Sequence, residues 1–460
     1  MNKTNWIKRF EPLNRAKLIE ATLETEKWLD KYSHIKDDEC FWDVMPEKES
    51  DENALLLKDT SLYGGAAGIA YFYLRLYVAL KDEKWLVKAK EGINYCIRKY
   101  RGVSDFETDE PYLAGAYIGF MNGPAGGAYV ASRLYEITHE NKYKDFAIRV
   151  TKDAIKSAKE ENGKLTWYGF YGILGEGGLV LYLLDAYKTY GNTEFLEAAK
   201  KAVDYIADQK ELAPGGGLRW YVMPTETFPT IGKAGGYFPG FEYGAAGCGY
   251  IFASLYEYIK DENYLEIAKQ AAIYIQNVAI YSEDERAALV PYNDTYLKDL
   301  FYLGVCQGPI GTSRLFYKLY EITEDEKYKE FIIKLTEGLL SSGAPEIHSE
   351  GYWRTNCYCC GGAGMLEHFI NVHKLTGDEK YLHAAYRAAE AVIGESTHKG
   401  EERNWYTAWN RHEPGTSDVY TGLYHGSTGC ASALLLLGQF IEDREYLPPY
   451  LEDPYKDLFE

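Results

Sequence analysis

Apolar residues along this chain come in blocks that open on Gly-x-x-Gly and then run almost without polar interruption for three to four helical turns. YGGAAGIAYFYLRLY begins at Tyr63, FMNGPAGGAYVASRLY at Phe120, FYGILGEGGLVLYLLDAY at Phe170 and EYGAAGCGYIFASLYEY at Glu242. CQGPIGTSRLFYKLY begins at Cys306, CCGGAGMLEHFINVHKL at Cys359 and YHGSTGCASALLLLGQF at Tyr424. After each of the first six comes a short polar turn and a segment apolar on one side only, as in DENYLEIAKQAAIYIQNVAIY. A helix apolar all round has no face for water and belongs inside; one that is amphipathic at the 3.6-residue period lies between core and solvent. The spacing therefore predicts an all-α chain of repeated inner and outer helices.

Seven inner helices with six following outer ones leave one outer place. The C-terminal REYLPPYLEDPYKDLFE cannot fill it, because Pro448, Pro449 and Pro454 interrupt any helix. The stretch from Leu13 to Ser33 is amphipathic and has no inner partner, so it is expected to pack outside the seventh inner helix and close the ring. The expected architecture is an α/α toroid, a double α-barrel of seven inner and seven outer helices, forming one domain over residues 1–460. Closure also removes the need for polar capping repeats. The turns from inner to outer helix are short, whereas the returns, such as 211–238 and 399–421, are long and irregular. Long loops and inner-helix N-termini thus share one face, and the functional site is expected there.

Composition narrows the class. A chain of 460 residues with 46% hydrophobic content buries a large core, and a net charge of −19 disfavours nucleic acid and anionic membrane as partners. The start, MNKTNWIKRFEP, has no apolar core of signal-peptide length, and no run approaches the ~18 apolar residues of a spanning helix. The expectation is a cytoplasmic protein that does not span a membrane. Many of the 43 tyrosines are expected to wedge between helices, ring inside and hydroxyl on a carbonyl or water.

Eight cysteines change the picture through their placement. TNCYCCGGAG puts Cys357, Cys359 and Cys360 ahead of one glycine turn, and GVCQGPIG puts Cys306 ahead of another. Aligning the repeats sets the residues before each first glycine in two rings around the barrel mouth. The nearer reads Gly64, Asn122, Tyr171, Tyr243, Gln307, Cys360 and His425; the next reads Tyr63, Met121, Phe170, Glu242, Cys306, Cys359 and Tyr424. Thiolates at helix N-termini are favoured by the dipole and bind borderline cations. Cys306, Cys359 and Cys360 are therefore assigned to one Zn²⁺ with an open fourth position, and Cys357 is a spare ligand or a bystander.

Seven helix pairs with Cys-x-Gly-x-x-Gly in the fifth repeat and Cys-Cys-Gly-x-x-Gly in the sixth resemble the lanthionine synthetase C-like cyclases, from about Leu55 to Phe440. The resemblance implies a zinc enzyme that adds a peptide cysteine thiol to dehydroalanine or dehydrobutyrine, making lanthionine or methyllanthionine thioethers. It implies a precursor peptide as substrate, with a separate dehydratase and an exporter as further partners. Cys360 stands where most members have a zinc-binding His, as in the three-cysteine subset. Three thiolates on Zn²⁺ make a net −1 centre and a more nucleophilic substrate thiolate. Tyr168, Tyr243 and Tyr302 stand where the family usually has Asp, His and Arg. Proton delivery to the enolate must then come from other groups: His425 first, then Tyr243 and Glu242, with Arg354 to steady a carbonyl oxygen. His368 and His373 read as packing or turn residues, and His412 lies on a site-face loop. Two other readings are a non-catalytic peptide- or thiol-binding relative and a carbohydrate-active toroid, hydrolase or epimerase, using Glu242 with His425.

Overall fold

A computed structural model describes residues 13–48, 59–107, 118–223 and 235–459. Its inner helices are α2 (Ala66–Leu80), α4 (Pro124–Thr138), α6 (Glu176–Tyr190), α8 (Ala245–Ile259), α10 (Pro309–Thr323), α12 (Gly362–Thr376) and α14 (Ser427–Phe440). The outer helices are α1 (Arg15–Asp30), α3 (Glu83–Lys99), α5 (Asn141–Ser157), α7 (Thr193–Asp208), α9 (Glu262–Val278), α11 (Glu326–Ser341) and α13 (Glu379–Gly394). Each inner helix packs on the next, and α14 packs on both α12 and α2, which closes the ring. As expected, α1 takes the last outer place: Thr22 Oγ1 donates to the Ala431 carbonyl at 3.2 Å, and Arg15 Nη2 reaches Gln439 Oε1 at 3.1 Å.

The inner-to-outer turns are short because two residues do all the work. The inner helix ends on one left-handed residue, such as Lys81 or Lys260, both at φ 56°. The next residue caps the outer helix: the Asp82 carboxylate accepts from Lys84 N at 3.1 Å, and Asp378 from Lys380 N at 2.9 Å. The repeated DEKY-type segments are these caps. With so little chain at that end, all the variable chain lies at the other.

The return loops differ from the expectation of irregular chain. They carry small antiparallel hairpins, including Lys159–Glu161 with Lys164–Thr166, Thr397–Lys399 with Glu402–Asn404, and Tyr406–Ala408 with Ser417–Val419. The first turns at Asn162 (φ 53°) and Gly163 (φ 80°), the two left-handed residues that a tight hairpin turn requires.

The C-terminal segment, too proline-rich for an outer helix, fills the middle of the inner ring. The Tyr71 and Tyr129 hydroxyls both donate to the Pro449 carbonyl, Tyr450 stacks on Tyr358 at 4.2 Å, and Tyr455 Oη meets Ser313 Oγ at 3.1 Å. Leu447, Tyr450, Glu452, Asp453 and Tyr455 are at most 3% exposed. The segment carries charge inside: Arg314 Nη1 lies 3.4 Å from Glu452 Oε1 and Nη2 donates to Tyr358 Oη at 2.7 Å. Among the described residues no helix is long and apolar enough to cross a membrane.

Candidate metal centre

The glycine turns are joined to one another by backbone hydrogen bonds. Glu242 N donates to Cys306 O (2.8 Å), Cys306 N to Cys359 O (3.2 Å), Cys359 N to Tyr424 O (2.9 Å), Tyr424 N to Tyr63 O (2.9 Å) and Tyr63 N to Met121 O (2.9 Å). These are six of the seven members of the second aligned ring, and those six share one register in sequence and in space. The third repeat corrects the alignment: Gly175 and not Gly172 caps its inner helix, so Leu174 and not Tyr171 lies at the mouth. That register is what sets Cys306 beside Cys359.

Each turn also folds tightly on its own helix. A Cβ on Gly311 would stand 1.9 Å from the Val305 carbonyl oxygen, and one on Gly364 2.3 Å from that of Tyr358. The residue four before the first glycine faces the neighbouring turn: a Cβ on Gly304 would meet Cys360 Cα at 2.5 Å, and one on Gly240 would meet Gln307 Cα at 2.6 Å. In the sixth repeat Cys357 holds that place. Its side chain therefore meets the next turn, and Sγ lies 3.5 Å from His425 Nδ1.

The sulfurs of Cys306, Cys359 and Cys360 lie within 4.8 Å of one another, with Cys306 to Cys360 at 3.3 Å and Cys359 to Cys360 at 3.4 Å. Tetrahedral Zn–S bonds of ~2.3 Å separate ligand sulfurs by about 3.8 Å, so an opening of a few tenths of an ångström accommodates the ion. The donor set fits a borderline cation. Cys357 stands outside the group, held by His425 and by Thr355 Oγ1 at 3.1 Å.

Electrostatics favour a shared negative charge. Hydrogen bonds from Cys359 and Cys360 bring the Cys306 thiol down to about 7 against the effect of burial, while Cys359 and Cys360, hydrogen-bonded to Cys306, are held well above the ordinary thiol value. Burial, reinforced by Cys359, holds the Glu242 carboxyl well above the carboxylate range; its Oε1 lies 3.1 Å from Cys359 Sγ. Burial opposes ionisation of Cys357, but hydrogen bonding with Cys360 and the charge of His425 outweigh it and bring the thiol well below its usual value.

A cavity of about 100 Å³ lies over the thiols, walled by Glu242, Tyr243, Tyr302, Trp353, Trp409 and His425 among others. Three of the four groups expected to move protons or steady charge are thus beside the cysteines. His425 is 3% exposed, with its Nε2 buried and unpartnered; Tyr243 Oη shares a 2.8 Å hydrogen bond with Tyr292. Arg354 is not among them: it is exposed and lines a neighbouring cavity. Tyr302 joins the wall with its hydroxyl buried and unpartnered, whereas Tyr168 lies apart, its hydroxyl on the Phe106 carbonyl. His368 is a packed ring on Thr336 Oγ1 (3.0 Å), His373 closes a turn on Asp378 O (3.0 Å), and His412 is exposed. Trp353, Trp409 and Tyr292 were missed; all come from return loops, where no repeat alignment could place them.

The family description lanthionine synthetase C-like protein matches residues 57–448. The chain belongs to that family. A zebrafish (Danio rerio) relative, glutathione S-transferase LANCL1, is 18% identical over 377 residues, 81% of this chain and 80% of the relative. Nisin cyclase superposes with a TM-score of 0.59 at 15% identity, covering 93% of this chain and 99% of its own, and so shares the fold. An unsaturated glucuronyl hydrolase specific for heparin matches with a TM-score of 0.47 at 12% identity, covering 93% of this chain and 96% of its own.

Proposed function

We propose that the protein holds one Zn²⁺ on Cys306, Cys359 and Cys360 and joins a peptide cysteine to dehydroalanine or dehydrobutyrine, making lanthionine or methyllanthionine. The observation that carries this is the packing of three sulfurs within 4.8 Å of one another at the floor of a cavity, with Cys306 and Cys359 buried and Cys360 partly open to it. A bound zinc would keep the substrate thiol ionised at neutral pH, and three thiolate ligands would leave it electron-rich. The chain's own residues do the rest. Trp353, Trp409 and the tyrosines exclude water from the acceptor. The substrate sulfur bonds to the acceptor Cβ, the double bond's electron pair moves toward the carbonyl, and Cα takes a proton. His425, with a free buried Nε2, is the first donor for that proton, and Glu242 and Tyr243 are within the same wall. Dehydration would be supplied by a separate dehydratase and the product passed to an exporter, with the reaction in the cytoplasm.

Thioether formation by addition leaves peptide mass unchanged, so the test counts free thiols. A dehydrated, cysteine-containing peptide is incubated with the zinc-loaded protein and then alkylated. Loss of alkylation with wild type, and its retention with Cys360→Ala alongside loss of about one zinc per chain, is the expected result. Protein purified without metal, or full alkylation with zinc-loaded wild type, would sink the proposal.

The zebrafish relative's name supplies a second reading, in which a free thiol such as glutathione is the donor. The same assay with glutathione separates the two, because that product gains the tripeptide's mass. A sugar-active reading is weaker: Glu242 is the single carboxylate in the described cavity wall, where glycoside hydrolysis ordinarily uses a pair.

A further inference from the structure

Beside the thiol cavity lies a larger one, about 620 Å³, which shares Trp353 as a common wall and is lined also by His348, Glu350, Arg354, Glu395 and Arg411. Its size is in the range that holds small organic groups. The walls are fixed: Trp353 Nε1 donates to Ala408 O at 3.0 Å, and Ala408 N donates to Arg354 O at 2.9 Å. These bonds stitch the Tyr406–Ala408 hairpin strand, which leads to Trp409 and Arg411, onto the chain entering the sixth repeat.

The charges inside the cavity match in number, two arginines against two carboxylates, but not in their pairing. Glu395 is satisfied by His348 Nε2 at 2.9 Å and Asn356 Nδ2 at 2.8 Å. Arg411 has a side chain only 9% exposed and pairs through Nη1 with Glu350, whose own side chain is 68% exposed at the rim. Its Nε is buried with no partner. A guanidinium offers five donors in a fixed fork, and a buried donor left unmatched costs stability unless an acceptor arrives. Arg354 makes no ion pair among the described residues. Two guanidinium groups therefore line one cavity of a chain whose net charge is −19. The charge of Arg411 also acts on Tyr302, which belongs to the thiol cavity, so it reaches past the shared Trp353 wall.

We propose that the second cavity is a carboxylate-binding subsite, in which Arg411, assisted by Arg354, holds an acidic side chain or the terminal carboxylate of the peptide that reacts at the neighbouring thiols. The proposal rests on the thioether reading for the identity of the peptide, but not for its test. Arg411 supplies the planar fork that a carboxylate matches. Arg354, exposed and screened by water, contributes less.

The test is binding, measured by titration calorimetry with three short peptides in which serine replaces the reacting cysteine. One carries Asp and an amidated C-terminus, one carries Asn and an amidated C-terminus, and one carries Asn and a free carboxylate. The expected result is that at least one carboxylate-bearing peptide binds about tenfold more tightly than the amidated Asn peptide. Which of the two does so identifies the source. Arg411→Gln is expected to remove the difference and leave the amidated Asn peptide unchanged, with Arg354→Gln removing a smaller part. Glu350→Gln, which frees the Arg411 fork without disturbing a buried group, is expected to tighten carboxylate binding several-fold, so the proposal stands or falls even where Arg411→Gln folds poorly. Equal binding of the three peptides, binding of none, or equal weakening of all by Arg411→Gln overturns it. Failure of the thioether reading would appear instead as full alkylation with this discrimination intact.

Discussion

Gly311→Ala isolates the link between turn geometry and metal binding. Gly311 is in the first turn of α10, where alanine by helix propensity alone would stabilise by about 0.5–1 kcal/mol. The structure predicts the opposite sign. The new Cβ would stand 1.9 Å from Val305 O and 2.7 Å from Phe241 Cβ, and so the Val305 carbonyl must retreat by about 1 Å. Val305 N is bonded to Cys359 O at 2.7 Å and precedes Cys306, so the retreat strains the bond that sets the two cysteines side by side. Overpacking of ~1–3 kcal/mol plus ~1 for the hydrogen bond gives a loss of about 3 kcal/mol. By the usual unfolding entropy per residue, that is a melting temperature roughly 3 °C lower for a chain this long. Metal sites tolerate about 0.2 Å in ligand position, so zinc content should fall well below half. The control is Gly394→Ala at the end of α13, where a Cβ meets nothing within 4 Å; it should match or slightly exceed wild type. Calorimetric melting and zinc content by atomic absorption read both variants. A Gly311→Ala protein that melts with wild type and carries a full zinc would refute the account of the turn.

Three further outcomes follow from the site and its surroundings. His425→Asn should lower the cyclisation rate by about 10²–10³ and leave zinc content unchanged, as loss of a proton donor does and loss of a ligand does not. Cys357→Ser should keep its zinc, because Cys357 lies outside the three-sulfur group, whereas Cys360→Ala should lose it; a metal-free Cys357→Ser would make Cys357 a ligand after all. Glu367 is buried against the C-terminal segment, where burial first and Asp453 second push its carboxyl up to about 7 from 4.5. A raised pKa means the folded state holds the proton more tightly, so this contribution to stability is complete below about pH 4.5 and is lost as pH rises toward 7. Denaturant unfolding between pH 5 and 7.5 should show a decline of a few kcal/mol in wild type that Glu367→Gln largely removes.

How much of this was legible in the sequence divides along physical lines. Inner and outer helices, their count and the closing role of Arg15–Asp30 follow from periodicity, because a helix that must bury every side and one that must bury half differ at nearly every position. The two rings were legible in six repeats, and the backbone bonds from Glu242 through Cys306 and Cys359 to Tyr424 follow that alignment. The third repeat offers two overlapping Gly-x-x-Gly frames, Gly172–Gly175 and Gly175–Gly178, and the helix starts after Gly175. The hairpins were partly legible: Asn162-Gly163 is a strong turn signal, whereas the length of a return loop says nothing of strands within it. The place of Cys357 was available too. Gly240, Gly304 and Gly422 stand four residues before the first glycine of their turns, and a cysteine at that place in the sixth repeat marks a side chain turned against the following turn.

What the sequence withheld is contact between parts that share no period. Trp353, Trp409 and Arg411 reach the mouth from return loops whose lengths all differ, so no alignment sets their register. The C-terminal segment was dismissed as a helix on sound grounds, yet the prolines that exclude it from the outer ring suit an extended chain threading the inner one. Its charges show what the threading does. Glu452 accepts from Tyr424 Oη at 2.9 Å, and the Tyr424 carbonyl accepts from Cys359 N at 2.9 Å. The Tyr424 hydroxyl is thus held from below by the tail while its backbone holds the thiol turn above. Next to it stands His425, whose imidazole faces Cys357. The tail is therefore a floor for the metal centre as well as core for the barrel. Removing the Glu452 carboxylate would leave Arg314 buried without its ion-pair partner, at a cost of about 3–5 kcal/mol, and would release Tyr424 at the same time. Glu452→Ala should for that reason lower both melting temperature and zinc affinity, whereas Tyr424→Phe, which removes one hydroxyl and leaves the backbone bond to Cys359 in place, should cost about 1 kcal/mol and keep the zinc. Equal zinc loss in the two variants would mean that the hydroxyl, and not the charge pairing of the tail, holds the turn.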